Sequence, residues 1–344
     1  MEIIMKIISS ILSKRWQIFG LTLCVLLLSG NYISKDGDGL VPSKTRNMPD
    51  NMYGIGANSG SDLVAVGYHS AVFHSNNNGN SWRRIKVDSN ELLRRVAVNE
   101  DGVAVAVGHK GGIYKIYPKT GTYKKIYQVD TGYLRDVYSY GGNNLVVVGK
   151  NGGIYISHDY GETWGKKDIV GYPGRDIPTL NGVSKLGTGF IAVGEFGALI
   201  YSEDGEDWIS INSDDENTFT AVKGCDGCSF AIAVGLDGII RQIILNDGNV
   251  VVKKISKFSD QHLFDVDFDG KDVIVVGDSI ILRLSNKNKK YLVYEDKNFD
   301  SRYSWLYGVQ VFNGNIFAVG RAGSMLAGKS SNFPNSYNNF KDIN

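Results

Sequence analysis

The stretch LRDVYSYGGNNLVVVGKNGGIYISHDYGETW, residues 134–164, carries the plan of the whole chain. Three short apolar runs are cut by Gly, Asn and Asp, and the central one, Leu145-Val146-Val147-Val148-Gly149, ends in Val-Gly. Six other runs end the same way, so the closing glycines are Gly67, Gly108, Gly149, Gly194, Gly235, Gly277 and Gly320, spaced by 41, 41, 45, 41, 42 and 43 residues. Short strands that recur with a period of roughly 40–45 residues and are separated by turn residues are how propeller blades read in sequence. The chain is therefore expected to be all-β: a seven-bladed β-propeller of four-stranded antiparallel blades over residues 51–330. That scaffold alone leaves the function open.

Composition agrees. The chain has 344 residues, and its 42 glycines against 6 prolines suit many hairpin turns that need positive φ. A formal charge of +1 gives no electrostatic argument for nucleic acid as a partner.

The N-terminal residues read differently. Lys6, Lys14 and Arg15 precede an uncharged, Leu- and Val-rich stretch from Trp16 to Gly30. Residues 1–30 are thus expected to be a signal peptide or an N-terminal anchor. The apolar core is short for a membrane span of about 20 residues. Cys24 follows Leu21-Thr22-Leu23, which lacks the small residue a lipid-attachment site wants. The expected location is exported (periplasm, lumen or extracellular), with membrane attachment through the N terminus as the variant. Residues 31–50 read as a linker holding a candidate ring-closing strand around Leu40-Val41-Pro42-Ser43, and residues 331–344 as a polar tail.

Each unit carries an inner strand, seen in Arg95-Val96-Ala97-Val98 and Arg135-Asp136-Val137, then the Val-Gly strand, then a Gly-initiated third strand and a more polar fourth. Between the third and fourth strands lies a second signature. Ser157, Asp159, Gly161 and Trp164 match S-x-D-x-G-x-x-W; Ser75, Asn77, Gly79 and Trp82 match it with Asn for Asp; Ser202, Asp204, Gly205 and Trp208 form a version one residue shorter. The physics asks for a tight hairpin in which Asp or Asn accepts turn amides, Gly takes positive φ and Trp covers the base. A structural role is the expectation; a calcium or ligand site is the competing one.

These boxes resemble the Asp-box, or bacterial neuraminidase repeat. The units running from Leu134 to Trp164 and from Leu180 to Trp208 resemble, more closely, those of photosystem II stability/assembly factor-like propellers. The resemblance implies an exported, non-catalytic binding protein for assembling membrane-associated protein partners, monomeric and without cofactor. The alternative it leaves is an Asp-box-type glycan-binding or glycoside-hydrolysing protein. The photosynthetic role does not follow from it.

Strand parity places the Val-Gly turns on one face of the ring and the boxes on the other. Ligands of propellers enter at the channel on the Val-Gly side, so the candidate binding residues are His69, Arg94, His109, Lys110, Arg135, Lys150, Glu195, Asp237, Asp278 and Arg321. Their order suggests a rim that is basic across blades seven, one, two and three and acidic across blades four, five and six. Such a rim steers partners even when net charge is small.

Catalytic readings fare worse. Arg175-Asp176-Ile177-Pro178 only approximates a sialidase string, and Glu195 with Asp237 is the one carboxylate pair to offer for hydrolysis. The five histidines show no metal-ligand spacing. Cys225-Asp226-Gly227-Cys228 is expected to turn a hairpin about Asp226-Gly227, with the cysteines facing each other within disulfide reach and forming a structural disulfide in an oxidising compartment; a reduced pair or a redox or metal role is the alternative.

Overall fold

The computed structural model describes residues 41–42, 51–130, 132–255, 257–270, 272–285, 290–293 and 305–330. The signal or anchor segment, most of the linker and the polar tail lie outside the described residues.

Seven antiparallel sheets stand around a common axis. Their inner strands are Met52–Ala57, Leu93–Val98, Leu134–Tyr140, Leu180–Leu186, Phe219–Gly224, Leu263–Asp269 and Leu306–Phe312. Each contacts the next, and the last packs on the first, so the circle is complete. The Val-Gly strands are sandwiched between neighbouring blades. In Leu63–Gly67 and Ala104–Gly108 every residue is buried, which explains why these runs are apolar on both faces rather than alternating. Burying one such Val or Leu side chain stabilises the fold by about 1.5–3 kcal/mol. The resulting core is a set of interblade clusters, for example Val64, Val66 and Ile85 of blade one against Val96, Ala104 and Ala106 of blade two.

Near the axis the strands approach closely. A Cβ on Gly54 would lie 2.8 Å from the Arg94 carbonyl oxygen, and one on Gly182 would lie 2.9 Å from the Val222 nitrogen.

Two features depart from seven identical four-stranded sheets. Blade seven takes its fourth strand from the N-terminal side: Val41 pairs with Ala327 and Pro42 with Leu326 beside Met325–Lys329. Blade four has five strands, because Ile169–Val170 adds in parallel to Trp208–Ile211. The extra strand belongs to the longest repeat, the 45 residues from Gly149 to Gly194. The additional residues extend the link between blades three and four and carry two β-branched side chains able to pair with an open edge.

Candidate functional site

The two faces are built from different turns. On the Val-Gly face, Tyr68 N donates to Asn51 O at 2.9 Å and Ser70 N to Glu91 O at 2.6 Å, tying each turn to the start of an inner strand. On the opposite face, Tyr160 N of a box turn donates to Asn143 O of the first hairpin at 2.7 Å.

The box turns are closed by their own side chains. Ser157 Oγ accepts Gly161 N at 2.7 Å, Asp159 accepts Thr163 N at 2.9 Å and the Thr163 hydroxyl at 2.6 Å, and Trp164 Nε1 donates to Gly161 O at 3.0 Å. Ser75, Asn77, Gly79 and Trp82 repeat the pattern, as do Ser202, Asp204, Gly205 and Trp208. The hydrogen bonds from Thr163 hold the Asp159 carboxyl low, at about 2. Glu162 accepts Lys115 of the preceding blade at 2.7 Å, and Glu206 pairs with Lys167 and, at 3.3 Å, with His158. These carboxylates are spent on turn closure and on joining blades. Among the described residues no three His, Cys, Asp or Glu side chains gather as a metal site.

The channel mouth on the Val-Gly face has a different construction. Every inner strand opens with a β-bulge between its first and third residues, for example between Leu93 and Arg95 and between Leu134 and Asp136. The bulged residues are Tyr53, Arg94, Arg135, Asn181, Thr220, Phe264 and Tyr307, and a bulge re-aims the side chains around it. Arg94, expected just before its inner strand, therefore belongs to that strand, and Arg135 lies in its inner strand as expected.

They form a cationic cluster. The Arg94 guanidinium lies 5.3 Å from the centre of the Tyr53 ring, and that of Arg135 lies 4.6 Å from the centre of the Tyr133 ring. Arg135 Nη1 is 3.2 Å from His109 Nε2, and Lys150 Nζ lies 5.7 Å from the Tyr133 ring centre. Among the described residues no carboxylate lies within salt-bridge distance of Arg94 or Arg135, and the buried Arg135 Nε has no hydrogen-bond partner. Burial and the neighbouring Arg95 and Arg135 pull Arg94 down to about 9; burial, Arg135 and Arg94 pull His109 down to about 4.

Aromatic rings complete the mouth. Tyr53 stacks on Tyr307 at 4.6 Å, Tyr307 meets Phe264 at 5.4 Å, and Phe264 meets Trp305 at 5.8 Å. Two further aromatics project from the Val-Gly turns, Tyr68 at 44% and Phe196 at 72% exposed. Phe196, like His69, Asn151, Asp237 and Ala322, is a non-glycine residue in the left-handed region at a turn tip.

The remaining rim residues are placed as follows. His69 and Lys110 are exposed, Lys110 Nζ donating to Asn90 O at 2.7 Å, and Arg321 is exposed on blade seven. The carboxylates proposed for the acidic half are largely engaged. Glu195 accepts Thr179 N at 3.2 Å, Asp237 lies 3.6 Å from His262, and Asp278 accepts the Ser279 hydroxyl at 3.0 Å in an isolated bridge to Trp305. Glu195 and Asp237, offered as a hydrolytic pair, thus each point to a different partner.

Sequence reasoning missed Arg95 and the aromatic wall. Arg95 is buried and crosses the axis: Nη1 donates to Tyr53 O at 2.5 Å and Tyr307 O at 3.2 Å, and Nη2 to Phe264 O at 3.2 Å, with Asp265 at 3.4 Å. Asp136, raised to about 6 by burial against the pull of Arg95, accepts Val183 N of the next blade at 2.9 Å. The signal available was the column formed by the second and third residues of the inner strands.

Cys225 and Cys228 have Cα atoms 5.2 Å apart, and Cys228 N donates to Cys225 O at 3.2 Å, so Asp226-Gly227 is the centre of a β-turn. The ladder stops earlier than a two-residue hairpin requires, at Gly224 opposite Ala231.

Together the sheets define a seven-bladed β-propeller whose cationic and aromatic channel mouth is its candidate binding site. No protein-family model matches the chain, and no curated protein matches it. Solved structures do. YCF48 bound to D1 peptide superposes with a TM-score of 0.65 at 13% identity, over 86% of this chain and 96% of that one. YCF48 from Cyanidioschyzon merolae gives a TM-score of 0.68 at 16% identity, over 86% and 99%. A streptogramin B lyase gives 0.68 at 12% identity, over 85% and 97%. At these identities the likeness establishes the fold.

Proposed function

We propose that this propeller is an exported, non-catalytic assembly or stability factor that binds a protein partner of a membrane-associated complex, taking an acidic segment at the channel mouth. The observation that carries the reading is the pair Arg94 and Arg135, drawn together half-buried and, among the described residues, with no carboxylate within salt-bridge distance. A cationic pair in low dielectric gains most from an anion supplied by a ligand. Aromatic and arginine side chains are also the groups that dominate protein interfaces. The likeness to YCF48 bound to D1 peptide supports a peptide-type partner. Lys110, Lys150 and Arg321 add rim charges that speed encounter.

Export goes with a bonded Cys225–Cys228 pair, since such bonds persist in oxidising compartments. Alkylation of the exported protein without reductant, followed by mass spectrometry, should find neither thiol modified.

The binding test uses the full chain and a fluorescein-labelled peptide rich in Asp and Glu, with a Lys-rich peptide as control. Anisotropy should report binding of the acidic peptide alone, weakening as salt rises. Charge reversal at Arg94, Arg135 and Lys150 should lower affinity about tenfold or more. Unchanged affinity in a folded triple variant removes the proposal.

A further inference from the structure

Resting on that reading, we infer that the mouth recognises an acidic residue coupled to a bulky apolar neighbour, and that Arg95 is the positioning residue which makes this two-part selection possible. Besides Arg94 O of its own strand, Arg95 donates to the carbonyls of Tyr53, Tyr307 and Phe264 on three other blades. These three are the residues whose rings build the aromatic wall. One guanidinium from blade two therefore fixes the backbone of bulged residues on blades one, seven and six.

The same side chain divides the electrostatics. Arg95 lies 3.4 Å from the Asp265 carboxylate, and Asp136 feels its charge as well. Its own charge is thus compensated inside the ring, whereas among the described residues neither Arg94 nor Arg135 has a carboxylate within salt-bridge distance, Asp265 reaching Arg94 only as a field weaker than that of the neighbouring arginines. The consequence is a mouth with two contiguous halves joined at Tyr53, which bears Arg94 on one side and stacks on Tyr307 on the other. A carboxylate satisfies the first half and an apolar side chain the second, through burial against Phe264 and Trp305. Because Arg95 bridges the channel from blade two to blades one, seven and six, the occupant inserts side chains at the mouth and does not thread the channel.

The test measures binding of the full chain to three labelled hexapeptides that differ only at two central positions: Asp-Phe, Asp-Ala and Asn-Phe. Asp-Phe should bind about tenfold or more tightly than either control. If none binds, the acidic-segment reading itself fails. If Asp-Phe and Asp-Ala bind equally while Asn-Phe is weak, that reading stands and the present inference falls.

The variant Arg95→Lys keeps the charge but cannot reach three carbonyls. It should lose the preference for Asp-Phe over Asp-Ala, retain dependence on Asp, and show a reduced near-ultraviolet circular dichroism signal from the ring cluster. Full retention of the Phe preference would overturn the role of Arg95. Phe264→Ala, half-buried at the mouth, supplies a second route: a Phe preference that survives it removes the aromatic subsite, whether or not the Lys variant folds.

Discussion

Arg135 Nη1 lies 3.2 Å from His109 Nε2, and because a guanidinium only donates, the imidazole must accept. His109 is therefore neutral at the mouth, with its proton on Nδ1. A protonated ring would place a third cation against Arg135 and Arg94, which together with burial holds it down at about 4.

His109 should titrate near pH 4 by NMR in the folded chain. Since its folded value is below that of the free side chain, its contribution to stability is complete above about pH 6.5 and is lost as pH falls towards 4. Binding of an acidic peptide should accordingly not rise between pH 8 and pH 5 on account of His109. A titration midpoint at an ordinary histidine value would contradict the contact with Arg135.

Asp136 works in the opposite sense. Its carboxyl is raised from 3.8 to about 6, chiefly by burial, so its contribution to stability is full below about pH 3.8 and disappears as pH rises through 6. Asp136→Asn keeps an acceptor for Val183 N and removes the titration. Relative to the parent, the variant should be more favoured at pH 7 than at pH 4.5 in urea midpoints. An equal offset at both pH values would show that the carboxyl is not shifted.

The three box tryptophans should not cost the same. Trp208 is fully buried, whereas Trp82 and Trp164 are half-buried. Trp208→Ala should destabilise by about 3–5 kcal/mol and Trp82→Ala by clearly less, measured by chemical unfolding. Equal losses would mean that the boxes contribute turn closure only, independent of packing.

Gly197 and Gly227 share a φ of +69° but differ in surroundings. A Cβ on Gly197 would lie 1.9 Å from Asp215 O, whereas nothing stands within 4 Å of one on Gly227. Gly227→Ala should cost about 1 kcal/mol from backbone strain, whereas Gly197→Ala should cost several times that or prevent folding. Thermal unfolding of the two variants decides it.

Removing the pairing of Val41 and Pro42 with Met325–Lys329 leaves blade seven with three strands and an open edge. A deletion of residues 40–43 should lower the unfolding temperature and promote association by edge pairing, read by light scattering on a size-exclusion column. A variant whose elution and Tm both match those of the parent would show the closure to be dispensable.

Much of the fold was legible because it is local. Val-Gly endings, Gly-initiated third strands and the boxes at Ser75, Ser157 and Ser202 each specify a strand or hairpin through residues within a few positions of one another. Identical units then require an arrangement that buries both faces of each second strand. The fifth strand of blade four was not legible, since Ile169 and Val170 pair with Trp208 and Ile209, which belong to the next repeat and not to their own surroundings in the chain.

The candidate site divides along the same line. Arg94, Arg135, His109 and Lys150 could be named from the chain because each stands at a fixed offset from a Val-Gly ending. Arg95 could not: it meets Phe264 and Tyr307, 169 and 212 residues away. Period-two counting also misassigns side chains at the start of every inner strand, where the bulge shifts the register. The sequence by itself determined the number of blades, their strand order and which turns share a face, because hydrophobic period and turn chemistry act over short distances. Only the tertiary structure decided that arginines and aromatic rings form one mouth, and that a single guanidinium spans it. Ring closure, which no local pattern encodes, brings those groups together and sets the dielectric in which their charges interact.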